Sequence, residues 1–124
     1  MFRGTGAHAK RRRTTLGVQR LLFICSRNRL RSPTAESVFA RYPGVEVASA
    51  GLAPDAEEVL TPEHLDGADL IFVMERAQQA KLTRQFGRYL RGKKVVCLDI
   101  PDRYQYMQPE LVTLFEQRVT PHLK

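Results

Sequence analysis

Two kinds of block alternate along the chain: short continuous apolar runs, and longer stretches in which apolar residues recur three or four apart. Val18-Gln19-Arg20-Leu21-Leu22-Phe23-Ile24 ends in four consecutive apolar residues, which predicts a buried strand. Ser32-Pro33 then offers a cap followed by proline at the first helical position. Ala35, Val38, Phe39 and Tyr42 follow at helical spacing, so a helix is expected to run until Pro43-Gly44. Val45-Glu46-Val47-Ala48 alternates as a short strand, and Gly51 through Glu58 reads as a loop rich in Pro, Asp and Glu. Thr61-Pro62-Glu63 repeats the cap-then-proline signal and opens a brief helix. Leu70-Ile71-Phe72-Val73-Met74 predicts a third strand, Arg76 to Phe86 a polar helix, and Val95-Val96-Cys97-Leu98 a fourth strand. The last helix is expected from about Pro109 to Val119, with Val112, Phe115 and Val119 on one stripe. Strands that alternate with helices and are apolar along their length imply an α/β fold with a four-stranded parallel sheet covered on both faces.

The chain has 124 residues, 43% hydrophobic and 27% charged, the composition of one globular domain rather than of a disordered or fibrous chain. No apolar run approaches the roughly 20 residues of a membrane-spanning helix, and the N-terminal segment lacks the apolar stretch of a secretory signal. Two cysteines cannot build a disulfide framework and fit a reducing compartment, so a cytoplasmic location is expected. The net charge of +7 changes the picture only at the front end. Residues 1–31 carry nine Lys or Arg and no acid, whereas residues 32–124 carry eleven basic and thirteen acidic residues. Lys10-Arg11-Arg12-Arg13 has no apolar period, so residues 1–17 read as a flexible basic arm ahead of a single domain at 18–124. A solvated extension is favoured there over contact with nucleic acid or anionic lipid and over a targeting peptide.

Ligands of parallel α/β sheets sit beyond the carboxyl ends of the strands, which directs attention to the loops after the first and fourth strands. Both loops begin at a cysteine with an arginine six positions on, Cys25 with Arg31 and Cys97 with Arg103. Their interiors differ. Ser26, Arg27, Asn28, Arg29, Leu30 and Arg31 each supply a backbone N–H, none is acidic, and the loop feeds a helix N-terminus, so it can wrap an oxyanion such as phosphate. Arg31 adds a forked guanidinium suited to two phosphate oxygens. Asn28 occupies the mid-loop position where a tight anion nest needs a left-handed residue. Between Cys97 and Arg103 lie Asp99, Pro101 and Asp102, two negative charges and one missing N–H, which cannot cradle phosphate. The same N–H dipoles and Arg31 favour the thiolate of Cys25, and Ser32 is placed either to cap the helix or to donate a hydrogen bond to the sulfur.

These residues bear a family resemblance. Cys25 through Arg31, then Ser32-Pro33-Thr34-Ala35-Glu36 and Val47-Ala48-Ser49-Ala50-Gly51, resemble the low-molecular-weight protein tyrosine phosphatases over about residues 18–120. The resemblance implies a three-layer α/β/α fold and a cysteine-dependent phosphomonoester hydrolase, most naturally acting on phosphotyrosine. It implies that Cys25 attacks phosphorus to give a phosphocysteine, that the loop amides and Arg31 bind the phosphoryl oxygens, and that Asn28, Ser32 and Ser49 hold the loop in shape. The family's general acid is an Asp in an Asp-Pro loop, which falls here in Asp99-Ile100-Pro101-Asp102-Arg103-Tyr104. Asp102 is the better match, having Tyr104 two places on, and Asp99 is the alternative. Tyr104 and Tyr106 are placed either to stack on a substrate ring or to pack locally.

Where the family loop has glycine two residues after the nucleophile and a second cysteine five after it, this chain has Arg27 and Leu30, so no disulfide can form within the loop. The segment that walls the family's cleft is shortened to about Leu52–Asp69, leaving Arg27, Arg29, Glu57 and Glu58 at the rim of an open cleft. His8, His64 and His122 show no ligand spacing, so no metal or cofactor is expected, and His64 is read as a surface residue. Two other functions share the loop: an arsenate reductase using an external thiol, and a non-catalytic phosphate or nucleic-acid binding module.

Overall fold

The computed structural model describes residues 2–4 and 18–123, so of the arm expected over 1–17, residues 5–17 lie outside the described residues. The elements in chain order are β1 (Arg3–Gly4), β2 (Gln19–Cys25), α1 (Arg31–Phe39), β3 (Val45–Gly51) and α2 (Pro62–Gly67). They continue with β4 (Leu70–Val73), α3 (Arg76–Phe86), β5 (Lys94–Cys97) and α4 (Pro109–Val119). The three apolar runs and the alternating segment from Val45 became the four parallel strands, in the spatial order β3-β2-β4-β5. To these the structure adds β1, two residues paired antiparallel with Val47 and Glu46 at the sheet edge, next to Phe2, which packs on the core. No helix among the described residues is long and apolar enough to cross a membrane.

Period-two alternation along β2 separates two cores. Leu21, Phe23 and Cys25 face the layer containing α1 and α4, where Phe23 stacks on Phe39 and Phe72 at 5.7 and 5.2 Å between ring centroids and meets Phe115 edge-on at 6.2 Å. Leu22 and Ile24 face the other layer, against Leu65 of α2 and Leu82 of α3. The sheet is therefore covered on both faces, which is why its strands read as continuous apolar runs. Since β2 lies between β3 and β4, the chain leaves it to one side and later returns on the other. That reversal opens the crevice at its carboxyl end, where the loop after Cys25 sits.

Three expectations are corrected. Ser32 does not cap α1: the helix begins at Arg31 with Leu30 as its cap residue, so Ser32 and Pro33 lie within the first turn, where a missing N–H costs nothing. The second strand runs on to Gly51 because Ala48, Ser49 and Ala50 are buried and pair with Leu22, Phe23 and Ile24 of β2. His64 is not on the surface but 1% exposed. Its Nδ1 accepts the Thr61 N–H at 3.0 Å, and its Nε2 lies 3.1 Å from Glu58 Oε2, so the ring pins the loop ahead of α2 to that helix. Replacing His64 by Ala strands the Thr61 amide and empties a buried site, and is expected to cost about 1–3 kcal/mol in urea denaturation. A surface histidine would change stability by no more than about 0.5 kcal/mol.

Candidate functional site

Beyond Cys25 the chain turns back on itself through Ser26–Leu30 into α1, and Asn28 takes the left-handed conformation, φ 58°. Asparagine pays less for that conformation than other residues with a side chain. The turn brings the Asn28 N–H to 3.1 Å from Cys25 Sγ and the Ser32 hydroxyl to 2.9 Å from the same sulfur. The Ser32 hydroxyl in turn donates to Asn28 Oδ1 at 2.8 Å, so one asparagine both shapes the loop and holds that oxygen beside the sulfur. The amides of Ser26, Arg27, Arg29 and Leu30 reach no acceptor among the described residues.

The loop's carbonyls are held on the outside. Leu52 donates its N–H to Cys25 O at 3.0 Å, Ala53 to Ser26 O at 2.8 Å and Glu57 to Arg27 O at 3.0 Å. The segment after β3 thus takes up the acceptors on one side of the loop, leaving its donors on the other. Close approach at Gly51 makes this possible: a Cβ there would sit 2.6 Å from Ser26 O and 2.6 Å from Ala56 Cβ. Ser49 acts one layer behind, donating to Glu36 Oε1 on α1 at 2.5 Å, so its grip is on the helix rather than on the loop itself.

Arg31, 4% exposed, is held from three sides. Its Nη1 donates to Ile100 O at 2.8 Å and lies 3.5 Å from Glu75 Oε1, while its Nε lies 3.7 Å from Asp102 Oδ1. A cavity of about 200 Å³ is lined by Cys25, Ser26, Arg27, Arg29, Leu30, Arg31 and Asp102. The two candidate acids therefore separate. Asp102 lines this cavity. Asp99 is exposed in a left-handed turn, φ 59°, with its carbonyl accepting from Arg118 Nη1 at 2.7 Å.

At the rim, Arg27 Nη1 pairs with Asp55 Oδ2 at 3.3 Å and Arg29 Nε with Glu57 Oε2 at 3.6 Å, whereas Glu58 turns away to His64. The tyrosines pack locally. Tyr106 Oη lies 2.9 Å from Ser37 Oγ, and Tyr104, with the Arg103 guanidinium 5.6 Å from its ring centroid, lines a neighbouring groove with Pro109 and Leu114. Cys97 faces the opposite core from Cys25.

Two contributors had escaped the sequence reading. Gln78, 5% exposed, accepts the N–H groups of Met74 and Glu75 at 2.9 and 3.0 Å and donates to Ser26 Oγ at 3.3 Å, tying the start of α3 to the loop. Glu75 supports Arg31. The spacing Glu75-x-x-Gln78 at a helix start is a faint trace of a capping box, weakened because Glu is not a favoured cap residue.

No protein-family model and no curated protein matches the chain. Solved structures do. The tyrosine phosphatase AmsI from Erwinia amylovora is 24% identical with a TM-score of 0.67, covering 90% of this chain and 97% of its own. A low-molecular-weight protein tyrosine phosphatase from T. tengcongensis is 24% identical with a TM-score of 0.61, covering 80% and 91%. A YwlE arginine phosphatase with its active-site cysteine replaced by a phosphorylated serine is 27% identical with a TM-score of 0.61, covering 79% and 91%. The chain has the fold of the low-molecular-weight protein tyrosine phosphatases.

Gly51→Ala is expected to lower stability by about 1–3 kcal/mol in urea denaturation, because the added methyl meets backbone that cannot yield without moving the loop. Gly87→Ala, whose methyl would meet nothing within 4 Å, is the control and is expected to be neutral or slightly stabilising. Equal effects would mean that the segment after β3 does not clamp the loop.

Proposed function

We propose that the protein is a cysteine-dependent phosphomonoester hydrolase that works through a phosphocysteine. The observation that carries this reading is the convergence on one sulfur of an amide and a hydroxyl, at 3.1 and 2.9 Å, in a cavity that also holds Arg31 and Asp102.

In the first step the Cys25 thiolate forms a bond to phosphorus, and the bond from phosphorus to the ester oxygen breaks. The inward amides of Ser26 through Leu30 and the Arg31 guanidinium bind the three non-bridging oxygens, whose charge grows as the transferring group flattens. Protonated Asp102 gives its proton to the departing oxygen. In the second step Asp102, now a carboxylate, takes a proton from a water that attacks phosphorus. The sulfur leaves as a thiolate eased by the Asn28 amide, and by the Ser32 hydroxyl once its proton turns from Asn28 Oδ1 to the sulfur, and inorganic phosphate is released. Arg31 can serve because its Nη1 is already tied to Ile100 O and faced by Glu75, fixing the plane of the fork.

Phosphotyrosine is the substrate class we assign first. The guanidinium planes of Arg27 and Arg29 at the cavity mouth offer faces on which an aryl leaving group can stack. Cys97 packs on the opposite face of the sheet and is not disposed to resolve a modified Cys25, which leaves arsenate reduction dependent on an outside thiol.

Hydrolysis of 4-nitrophenyl phosphate is the direct assay. Cys25→Ser is expected to abolish turnover while retaining phosphate binding, since serine lacks an accessible anion at neutral pH. Asp102→Asn is expected to slow phenyl phosphate hydrolysis by about 10²–10⁴-fold and 4-nitrophenyl phosphate much less, because the nitrophenolate needs no proton to leave. Asp99→Asn should be nearly silent. A leaving-group-dependent loss in Asp99→Asn, with Asp102→Asn silent, would reverse the two roles. Turnover by Cys25→Ser at the wild-type rate would end the phosphocysteine reading.

A further inference from the structure

The chemistry of one phosphoryl group uses one buried guanidinium, yet the cavity around Cys25 is lined by three: Arg31 at its base and Arg27 and Arg29 at its mouth. Resting on the phosphatase reading, we propose that Arg27 and Arg29 form a second anion subsite, so that the preferred substrates carry another anionic group beside the scissile phosphate.

Both mouth arginines are engaged, but loosely. Arg27 meets Asp55 at 3.3 Å with side chains 57% and 59% exposed, and Arg29 meets Glu57 at 3.6 Å with side chains 53% and 64% exposed. Exposed pairs of this kind contribute little, so a substrate anion can replace the carboxylates at small cost. Arg31 differs in kind: it is buried, and a backbone carbonyl holds it in place. The base of the cavity is thus preorganised for one phosphoryl group, and its mouth carries two cations whose present partners are exchangeable. The backbone beneath the subsite is rigid, because the Glu57 N–H holds Arg27 O at 3.0 Å even if the Glu57 carboxylate swings away. A guanidinium accepts a carboxylate or a phosphate in the same fork, so both are eligible second anions. Asp55 and Glu57 act as placeholders that discourage singly charged esters from using the site and keep the two arginines from repelling each other.

The test compares kcat/KM for phenyl phosphate, 3-carboxyphenyl phosphate and benzene-1,3-diyl bisphosphate in wild-type protein and in Arg27→Gln/Arg29→Gln. Taking the wild-type-to-variant ratio for each ester cancels differences among the leaving groups. The ratio is expected to be about tenfold larger for an ester with a second anion than for phenyl phosphate, and to shrink as ionic strength rises. The carboxylate and bisphosphate arms then show which anion is taken. Asp55→Asn/Glu57→Gln, which frees the arginines without touching them, should increase the wild-type preference severalfold. Equal ratios for all three esters, with activity present, would overturn the subsite and leave the phosphatase standing. No turnover of any ester by the wild-type protein, 4-nitrophenyl phosphate included, would overturn the phosphatase reading itself.

Discussion

Three backbone hydrogen bonds decide what the site can do. The N–H groups of Leu52, Ala53 and Glu57 take up the carbonyls of Cys25, Ser26 and Arg27. A peptide plane cannot turn its carbonyl outward without turning its N–H the other way, so this clamp also turns the amides of Ser26, Arg27 and Asn28 to the opposite side. The clamp depends on Gly51, because the two chains approach there more closely than a side chain permits. The segment after β3 thus supports the loop. The short connection lies directly against it and contributes the carboxylates that face Arg27 and Arg29.

Arg31 joins this half of the site to the other. Its bond to Ile100 O fixes where the loop after β5 passes, and Asp102 comes within 3.7 Å of its Nε on that account. Arg118 holds the same loop from behind through the carbonyls of Leu98 and Asp99, and Glu75 and Gln78 brace the arginine and the loop from the start of α3. Every one of these contacts lies at the carboxyl ends of parallel strands. The fold places the thiol, the arginine and the acid within one cavity, while the hydrogen bonds among them set their orientation.

Elements with a strong period were legible in the sequence. α3 and α4 have the bounds expected from their apolar spacing and from Pro109; three of the four parallel strands announced themselves as apolar runs and the other, from Val45, as a short alternation. The loop was legible because its chemistry is local: Cys25, Asn28, Arg31 and Ser32 lie within one turn and a half of chain. Whatever depends on a distant partner was not. For Ser32 the sequence offers both a helix cap and a contact with the sulfur seven residues back, and the fold decides for the sulfur. His64 reads as a surface residue because it lies in a polar segment: its partners Thr61 and Glu58 are near in sequence, and it is the burial of the ring that no local pattern encodes. Gln78 sits in a polar helix and reaches Ser26, 52 residues away, which no periodicity encodes. Tyr104 and Tyr106 were ambiguous for the same reason, their neighbours being set by tertiary packing.

The central claim is that Cys25 carries the phosphoryl group between substrate and water. Rapid acid quenching of the wild-type protein during turnover of 4-nitrophenyl phosphate, followed by intact mass measurement and peptide mapping, tests it directly. The account predicts one added phosphoryl group, on the Cys25 peptide, that disappears when substrate is exhausted. Continued product formation with Cys25 unmodified at every time point, or the phosphoryl group on another residue, would contradict it.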